Sequence, residues 1–377
     1  MPRPAMARAR EAMDAQKREH AVPTRYWHAL PDGRVQCDLC PRFCKLREGE
    51  RGLCSVRARL GRGVALTTYG RSTGFFVDTI ERKPLFHFLP GTPALSFGTA
   101  GCNLVCSFCH HWDVDSGHGP AGLGEDAGPK EIVLAAKRLG CRSVAFARND
   151  PVVFHEYALD VAAAARAEGL RTVAVSAGYV CPKPRVEFYR HIDAALIGLH
   201  SLSRRFYRSE CSGSLQPVLD TLLYLRHETR VWLEVASLLI PGVNDSDAEI
   251  ERLTGWIHDQ LGPDVPVHFT TFRPAFRMAE APPTPRSTLA RARHLALGSG
   301  LRYAYTEDPA GSSTYCFRCG RLLIERDGRA LTSWGLGTGG HCPSCDQPCP
   351  GVFESAPGAF REPRTDVRLG EPELVDA

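Results

Sequence analysis

The sequence predicts an α/β protein: a partial or complete parallel (β/α) barrel, with a Cys-rich N-terminal module and a C-terminal zinc-ribbon-like module. Between about residues 94 and 308, seven short apolar segments alternate with amphipathic segments, as in parallel strands joined by helices. In addition, 12 of the 15 cysteines form three groups, which lie before the first predicted strand, directly after it and beyond the last one. An open doubly wound sheet is the alternative, and it would place reactive groups at the same strand ends.

The predicted elements follow in order along the chain. The strands are expected at 94–97, 143–147, 172–176, 194–199, 232–240, 265–272 and 301–306. Helices are expected at 130–139, 154–168, 246–261 and 287–297. Gly140 and Gly169 provide left-handed helix ends, and Ser246 with Glu249 forms a capping box.

Composition excludes several classes of protein. The 377 residues are 43% hydrophobic and 23% charged, which indicates a folded chain of one large or two medium domains. The longest apolar run, 231–243, is shorter than the roughly 20 residues of a membrane-spanning helix. A net charge of +4 does not indicate nucleic-acid binding. No apolar stretch follows the basic residues of the first 25, so we expect no secretory signal and a cytoplasmic protein without a membrane partner.

The domain boundaries are predicted from these patterns. We expect five segments along the chain. They are an N-terminal extension at 1–26, the Cys-rich module at 27–90, the barrel at 91–310, the zinc-ribbon-like module at 311–355 and a disordered tail at 356–377.

The most informative segment is the cysteine loop after the first predicted strand, in which Cys102, Cys106 and Cys109 have Cys-x3-Cys-x2-Cys spacing. Three thiolates on one short loop can surround a single cluster. A four-iron cluster takes four ligands, so three sulfurs leave one iron open for another molecule. A structural zinc site is the alternative, but three ligands would not close it.

This loop resembles the signature of radical S-adenosylmethionine (SAM) enzymes. The resemblance implies a 4Fe-4S cluster whose open iron binds S-adenosyl-L-methionine. Reductive cleavage of SAM would then yield a 5'-deoxyadenosyl radical that abstracts hydrogen from a substrate. It also implies a reductant such as flavodoxin or ferredoxin, and Phe108 matches the position that lies near the adenine.

A longer resemblance, over residues 27–353, is to the pyruvate formate-lyase activating enzyme group and, within it, to the AmmeMemoRadiSam radical SAM proteins. It rests on the segments at 36–41, 83–88, 238–245 and 314–316. That subgroup implies Memo-like and AMMECR-like proteins as partners.

The resemblance also implies further residues that contact SAM, at the positions of this sequence that match the family's pattern. Asn149 and Asp150 stand where the family has a polar pair that holds the SAM amino group, although Asp150 could instead cap the helix that begins at Pro151. Ser176 replaces an expected Thr, and His200 replaces an expected Lys, which would make carboxylate binding weaker or pH dependent. His268 could reach the ribose or carboxylate of SAM, or could be structural.

The outer cysteines form two further candidate metal sites. Cys316, Cys319, Cys342 and Cys345 have zinc-ribbon spacing, and Cys349 is left over. Cys37, Cys40, Cys44 and Cys54 also offer four thiolates. Structural zinc is expected at both groups, with an auxiliary iron-sulfur cluster as the alternative.

The function predicted from the sequence is that of a radical SAM enzyme, a metal-binding iron-sulfur oxidoreductase with an unidentified substrate. One alternative is a glycyl-radical enzyme activase, although the rebuilt strand ends argue for a different target. Another is a zinc-ribbon interaction module with a non-catalytic barrel. Nucleic acid is not expected as a partner, because the basic excess of the ribbon is small.

Overall fold

The computed structural model describes residues 21–112 and 124–369. The predicted N-terminal extension therefore lies largely outside the described residues. In the part that is described, no helix is long and apolar enough to cross a bilayer.

Small antiparallel sheets form the N-terminal part of the chain. Its strands are β1 (Val22–Pro23), β2 (Trp27–Ala29), β3 (Val35–Cys37), β4 (Lys45–Leu46), β5 (Arg57–Leu60), β6 (Gly63–Leu66) and β7 (Arg71–Ser72). Two sheets of three strands each result, with the orders β2-β3-β4 and β1-β6-β5. Cys37 ends β3 and Cys44 directly precedes β4, so this antiparallel pairing brings the two cysteines close.

A nine-stranded sheet forms the centre of the molecule. After β8 (Phe75–Thr79) its parallel strands are β9 (Pro93–Phe97), β11 (Ser143–Phe146), β12 (Arg171–Ser176), β13 (Ala194–Gly198), β14 (Trp232–Leu239), β15 (Val267–Thr271) and β16 (Ala304–Thr306), while β10 (Glu125–Asp126) pairs with β7. These seven parallel strands match the seven predicted segments and lie side by side in chain order.

The strand order distinguishes the two predicted architectures. Right-handed crossovers between strands in uninterrupted chain order place every connecting helix on one face, whereas a doubly wound sheet requires a reversal of order. The sheet is open, with β16 at one edge, so the fold is a partial parallel barrel. It is extended beyond β9 by antiparallel pairing with β8.

The connecting helices agree with the predicted start and stop signals. They are α1 (Pro129–Arg138), α2 (His155–Ala167), α3 (Pro182–Tyr189), α4 (Arg204–Ser209), α5 (Gln216–Glu228), α6 (Asp247–Leu261), α7 (Arg286–Gly298) and α8 (Pro309–Ser312). Ser246 caps α6 by accepting the Glu249 N–H, and Gly262 ends α6 with a φ of 93°. Helices α3, α4, α5 and α8 were not predicted. Helices α3, α4 and α8 are short, whereas α5 was missed although Val218, Leu222 and Leu225 follow a helical period and are buried.

The C-terminal part packs against the barrel. It contains β17 (Thr314–Tyr315), β18 (Leu322–Asp327) and β19 (Ala330–Trp334), which form an antiparallel sheet, and β20 (Thr365–Val367). Its apolar cluster includes Phe86 and Tyr305, so the module and the barrel share one core. Strand β20 pairs with β8, because the edge of β8 offers backbone groups. The expectation of a disordered tail from 356 is therefore wrong for this strand, and residues 370–377 lie outside the described residues.

His87 joins the barrel to the C-terminal part from a fully buried position. Its Nδ1 lies 2.6 Å from the Pro350 carbonyl oxygen, so Nδ1 donates, and its Nε2 lies 2.6 Å from the Tyr305 hydroxyl, which donates to it. This arrangement uses the neutral ring, and burial lowers the pKa of His87 to about 4.

We expect stability to fall on acidification below pH 6.5. The unfolded chain protonates His87 near pH 6.5 while the folded chain does so only near pH 4. The unfolded state therefore binds more protons within this window, and acidification from pH 7 to below pH 4 removes about 3 kcal/mol of the free energy of unfolding in all. Urea unfolding at pH 7 and pH 5 should show about 2 kcal/mol of this loss, and His87→Gln should show a smaller difference. An equal pH dependence in the variant would contradict the assignment.

Candidate active site

The cysteine loop begins directly beyond β9, at the carboxyl edge of the parallel sheet. Its backbone is fixed by neighbouring loops: Val105 N donates to Cys211 O at 3.1 Å, and Ser107 N donates to Glu210 O at 2.7 Å. The Ser107 hydroxyl also donates to the Glu210 carboxylate at 2.6 Å. Because the carboxyl edge carries the reacting groups of such sheets, the loop lies where chemistry is expected.

The three predicted cysteine ligands are partly exposed, whereas Phe108 between them is buried. Among the described residues, the thiols of the C-terminal group all lie within 4.8 Å of one another. The three thiols of this loop do not lie so close together. A tetrahedral zinc ion with bonds of about 2.3 Å would hold its sulfurs about 3.8 Å apart. The wider arrangement fits a group of several atoms, and three thiolates are the donor set of an iron-sulfur cluster with one open corner. The loop therefore fits the cluster that its spacing implies.

Asn149 holds this loop to the next strand. Its Oδ1 accepts the Thr99 N–H at 3.0 Å, and its Nδ2 donates to the carbonyl oxygens of Ala100 at 3.1 Å and Gly101 at 2.8 Å. Asn149 is only 6% exposed, so its amide is used within the protein. The structure thus gives Asn149 the role of positioning the loop, and the predicted direct contact with SAM is not supported by its hydrogen bonds.

Replacing Asn149 with Ala should loosen the cysteine loop. The side-chain hydrogen bonds to Thr99, Ala100 and Gly101 disappear and buried backbone groups lose their partners, which should cost about 2–4 kcal/mol of the free energy of unfolding. Removal of such a supporting residue reduces metal affinity or activity by roughly 10–100-fold. Iron retention during anaerobic gel filtration measures this effect, with Asn149→Asp as the variant that keeps the acceptor. Full iron retention in Asn149→Ala would contradict the positioning role.

Asp150 and Ser176 come together at the ends of β11 and β12. The Asp150 carboxylate accepts the Ser176 hydroxyl at 3.1 Å, the Ala177 N–H at 2.8 Å and the Val152 N–H at 3.0 Å. The last bond caps the 3-10 helix Pro151–Phe154, as the alternative interpretation expected. Burial raises the pKa of Asp150, while these hydrogen bonds oppose the shift. Asp150 therefore joins two strand ends, and SAM contact by this pair stays a prediction.

Phe108 and His200 meet at the carboxyl edge. Their ring centroids lie 5.4 Å apart in an edge-to-face arrangement, and Phe108 also packs on Phe206 at 6.0 Å. His200 Nδ1 accepts the Leu238 N–H at 3.1 Å, so the neutral ring carries its proton on Nε2. Burial lowers the pKa of His200 to about 4, which keeps the ring neutral near pH 7. His200 can therefore donate a hydrogen bond but brings no charge to the site.

His268 has a different environment from the one that was predicted. Its Nε2 lies 2.6 Å from the buried Glu234 carboxylate, and its ring stacks on Tyr305 at 5.2 Å and meets Phe86 at 4.8 Å. These described contacts belong to the core shared with the C-terminal module and include no residue of the cysteine loop. These contacts fit the structural alternative, because the buried acid Glu234 on the neighbouring strand β14 engages the imidazole. A contact of His268 with SAM stays a prediction.

The C-terminal cysteines form a compact quartet. The Sγ atoms of Cys316, Cys319, Cys342 and Cys345 all lie within 4.8 Å of one another. The pairs Cys316–Cys345 and Cys319–Cys342 are each separated by 3.6 Å. These distances match four sulfurs around one tetrahedral ion. Cys349 lies outside the quartet, 3.9 Å from His87 Nδ1.

The N-terminal cysteines line one small cavity. Cys37, Cys40, Cys44 and Cys54 all contribute to its wall, together with Arg57 and Asn103. The structure therefore brings the four predicted ligands together. The sequence did not predict that Asn103 of the cysteine loop also lines this cavity. A local sequence pattern does not show which loop packs against the N-terminal module.

A parallel sheet in chain order, with three thiols on the loop after its first strand, defines a class of enzymes that bind SAM at an iron-sulfur cluster. Residues 97–254 match the model of the Radical SAM superfamily. An uncharacterized protein of Methanocaldococcus jannaschii is 34% identical over 304 residues, which cover 80% of this chain and 90% of that protein. The chain belongs to the radical SAM superfamily.

The solved structures that the chain matches show lower identity. A domain of pyruvate-formate lyase-activating enzyme from Bacteroides vulgatus is 17% identical and covers 44% of this chain and 98% of that chain, with a TM-score of 0.38. A radical SAM methyltransferase from Sphaerobacter thermophilus is 17% identical and covers 80% of this chain and 81% of that chain, with a TM-score of 0.44. The narrower assignment to the AmmeMemoRadiSam group stays a prediction.

Proposed function

We propose that this protein is an enzyme that reductively cleaves S-adenosyl-L-methionine and uses the resulting 5'-deoxyadenosyl radical to abstract hydrogen from a substrate. The observation that carries the proposal is the loop of Cys102, Cys106 and Cys109 at the carboxyl edge of the first parallel strand. When bound there, a 4Fe-4S cluster would supply the electron and the open iron that SAM requires.

The protein's own residues position this chemistry. Asn149 fixes the backbone before Cys102, and Glu210 fixes the loop at Ser107. The buried rings of Phe108 and Phe206 exclude water behind the loop. Shielding a radical from solvent is a central task of such a site, because water and oxygen would divert it.

At the strand end where the resemblance leads us to expect a Lys, this chain has His200, and His200 carries no positive charge. His200 is held in its neutral form by burial and by the Leu238 N–H at Nδ1. A neutral donor suits a carbonyl or hydroxyl acceptor better than a carboxylate. This supports a substrate or a SAM orientation different from that of the activating enzymes, and the activase alternative gains no support here.

The partners follow from the same proposal. A one-electron reductant such as flavodoxin or ferredoxin would supply the electron, and Memo-like and AMMECR-like proteins stay predicted partners on the basis of the resemblance. Zinc at the C-terminal quartet is supported by the sulfur distances of 3.6 Å. Such a module could also hold a macromolecular partner, but that alternative does not explain the cysteine loop.

Cleavage of SAM tests the proposal. The full chain is purified without oxygen, loaded with iron and sulfide, reduced with dithionite and incubated with SAM. We expect 5'-deoxyadenosine and methionine in equal amounts. A chain with a complete iron load at the loop that forms neither product would overturn the proposal.

A further inference from the structure

We propose that Cys37, Cys40, Cys44 and Cys54 bind a second iron-sulfur cluster, and that this site passes single electrons to the cysteine loop. The four thiols line one cavity, and Cys37, Cys40 and Cys54 are each less than 10% exposed. Four thiolates with this protection from solvent are a complete donor set for a closed cluster.

The spacing of the sulfurs favours a cluster over zinc. The compact C-terminal quartet shows how this chain arranges thiols for a single ion, with all four sulfurs within 4.8 Å of one another. Throughout residues 21–112 and 124–369, no other three cysteine, histidine or carboxylate side chains have ligand atoms so close together. The N-terminal thiols instead surround a cavity, and a larger group of several iron and sulfide atoms would fill it.

Two arginines indicate that the occupant of the cavity is negatively charged. Arg57 and Arg42 both line it, and Arg57 is only 1% exposed. Arg57 pairs with Glu156, yet its Nη1 is buried with no hydrogen-bond partner among the described residues, and so is Arg42 Nη2. A buried N–H without a partner is costly, and a cluster ligated by four thiolates is an anion that would accept both.

The cavity adjoins the cysteine loop. A Cβ atom on Gly101, the residue before Cys102, would lie 2.0 Å from the Cys54 carbonyl oxygen, so the two backbones are in close contact. Arg42 also donates to the Asn103 carbonyl oxygen at 2.7 Å, and Asn103 lines the cavity from within the loop. The backbone of one predicted ligand, Cys54, thus contacts the residue directly before another, Cys102, so the two sites are neighbours in the fold.

The outer side of the site offers a place for an electron carrier. Cys44 is partly exposed, and the neighbouring side chains of Phe43 and Leu53 are 47% and 46% exposed. Large exposed apolar side chains that flank a metal ligand are typical of a contact surface. The exposed Lys45 beside them suits a carrier protein with an acidic surface.

The electron balance of this step is simple. A reduced one-electron carrier protein of the flavodoxin class gives one electron to the N-terminal site, which changes from its oxidised to its reduced state. The same electron then passes to the loop site, where it is consumed in breaking the sulfonium bond of SAM. The N-terminal site returns to its oxidised state and has no net change.

Metal content tests the site itself without any assay of SAM cleavage. The variant Cys102→Ala/Cys106→Ala/Cys109→Ala removes the loop ligands and leaves the N-terminal cysteines intact. After anaerobic purification we expect it to retain about four irons, with an electron paramagnetic resonance signal on reduction that SAM does not alter. Zinc in place of iron at the N-terminal site of this variant would overturn the proposal. Cys141→Ala, a lone buried cysteine, is the control and should match the wild-type metal content.

The relay is tested by comparing two reductants in Phe43→Glu/Leu53→Glu, whose changes are on the surface. We expect the rate of SAM cleavage with reduced flavodoxin to fall at least about tenfold, while the rate with dithionite and the iron content stay unchanged. An unchanged rate with flavodoxin would contradict entry at this face. Failure of SAM cleavage in the wild type with both reductants would instead count against the proposed function, while the iron content of the loop variant would still decide the site.

Discussion

Cys106→Ala should reduce the formation of 5'-deoxyadenosine to the background rate. Cys106 is the middle one of three thiolates on the loop after β9, and a cluster with only two protein ligands would leave two irons open and be lost or disordered. The loss concerns the chemistry and not the fold, because the loop backbone is held separately through Cys211 and Glu210. Product analysis of anaerobic reactions measures the effect.

The matched control for this prediction is Cys141→Ala. Cys141 is a buried cysteine beside the start of β11 and is distant in sequence from all three cysteine groups. It should retain wild-type product formation. A Cys106→Ala protein that forms 5'-deoxyadenosine at the rate of the control would show that the loop is not the site of cleavage.

Cys342→Ala should destabilise the C-terminal module strongly. Its Sγ is one of four within 4.8 Å of each other, and structural zinc contributes about 10–16 kcal/mol of binding free energy in small zinc modules. A three-ligand site loses a large part of this energy. Because the module shares its core with Phe86 and Tyr305, the barrel should lose stability as well. Thermal unfolding and zinc analysis measure both effects.

Cys349→Ala is the control within the same module. Cys349 is buried but lies outside the quartet, so its removal leaves a small cavity and ends weak sulfur contacts, including the one with His87, without removing a ligand of the quartet. It should retain one zinc per chain. Equal loss of zinc and of thermal stability in the two variants would contradict the assignment of ligands.

The sequence predicted the sheet well, because its strands are short apolar segments bounded by clear turn and capping signals. All seven parallel strands and the capping of α6 by Ser246 were predicted correctly. Strands β8 and β20 were missed. Their pairing depends on which segments meet at the sheet edge, and this long-range contact leaves no local pattern.

The sequence predicted which cysteines group together better than it predicted the residues that surround them. The spacing of the cysteines groups the ligands, and the C-terminal quartet confirms this for one group. The pairing of His268 with Glu234 was not predicted, because an alternating strand pattern does not show which side chain of the neighbouring strand would bind the imidazole. Asn149 was placed correctly at the end of β11, but its three hydrogen bonds to the cysteine loop depend on tertiary contacts.

Spectroscopy of the anaerobic chain shows whether the cysteine loop holds a four-iron cluster with an iron that is open to SAM. Mössbauer and electron paramagnetic resonance spectra are recorded on the reduced Cys37→Ala/Cys40→Ala variant, with and without SAM, so that the loop signal is observed alone. We expect a four-iron cluster with one distinct iron, whose signal changes when SAM is added. Zinc at Cys102, Cys106 and Cys109, or a cluster whose signal SAM leaves unchanged, would contradict it.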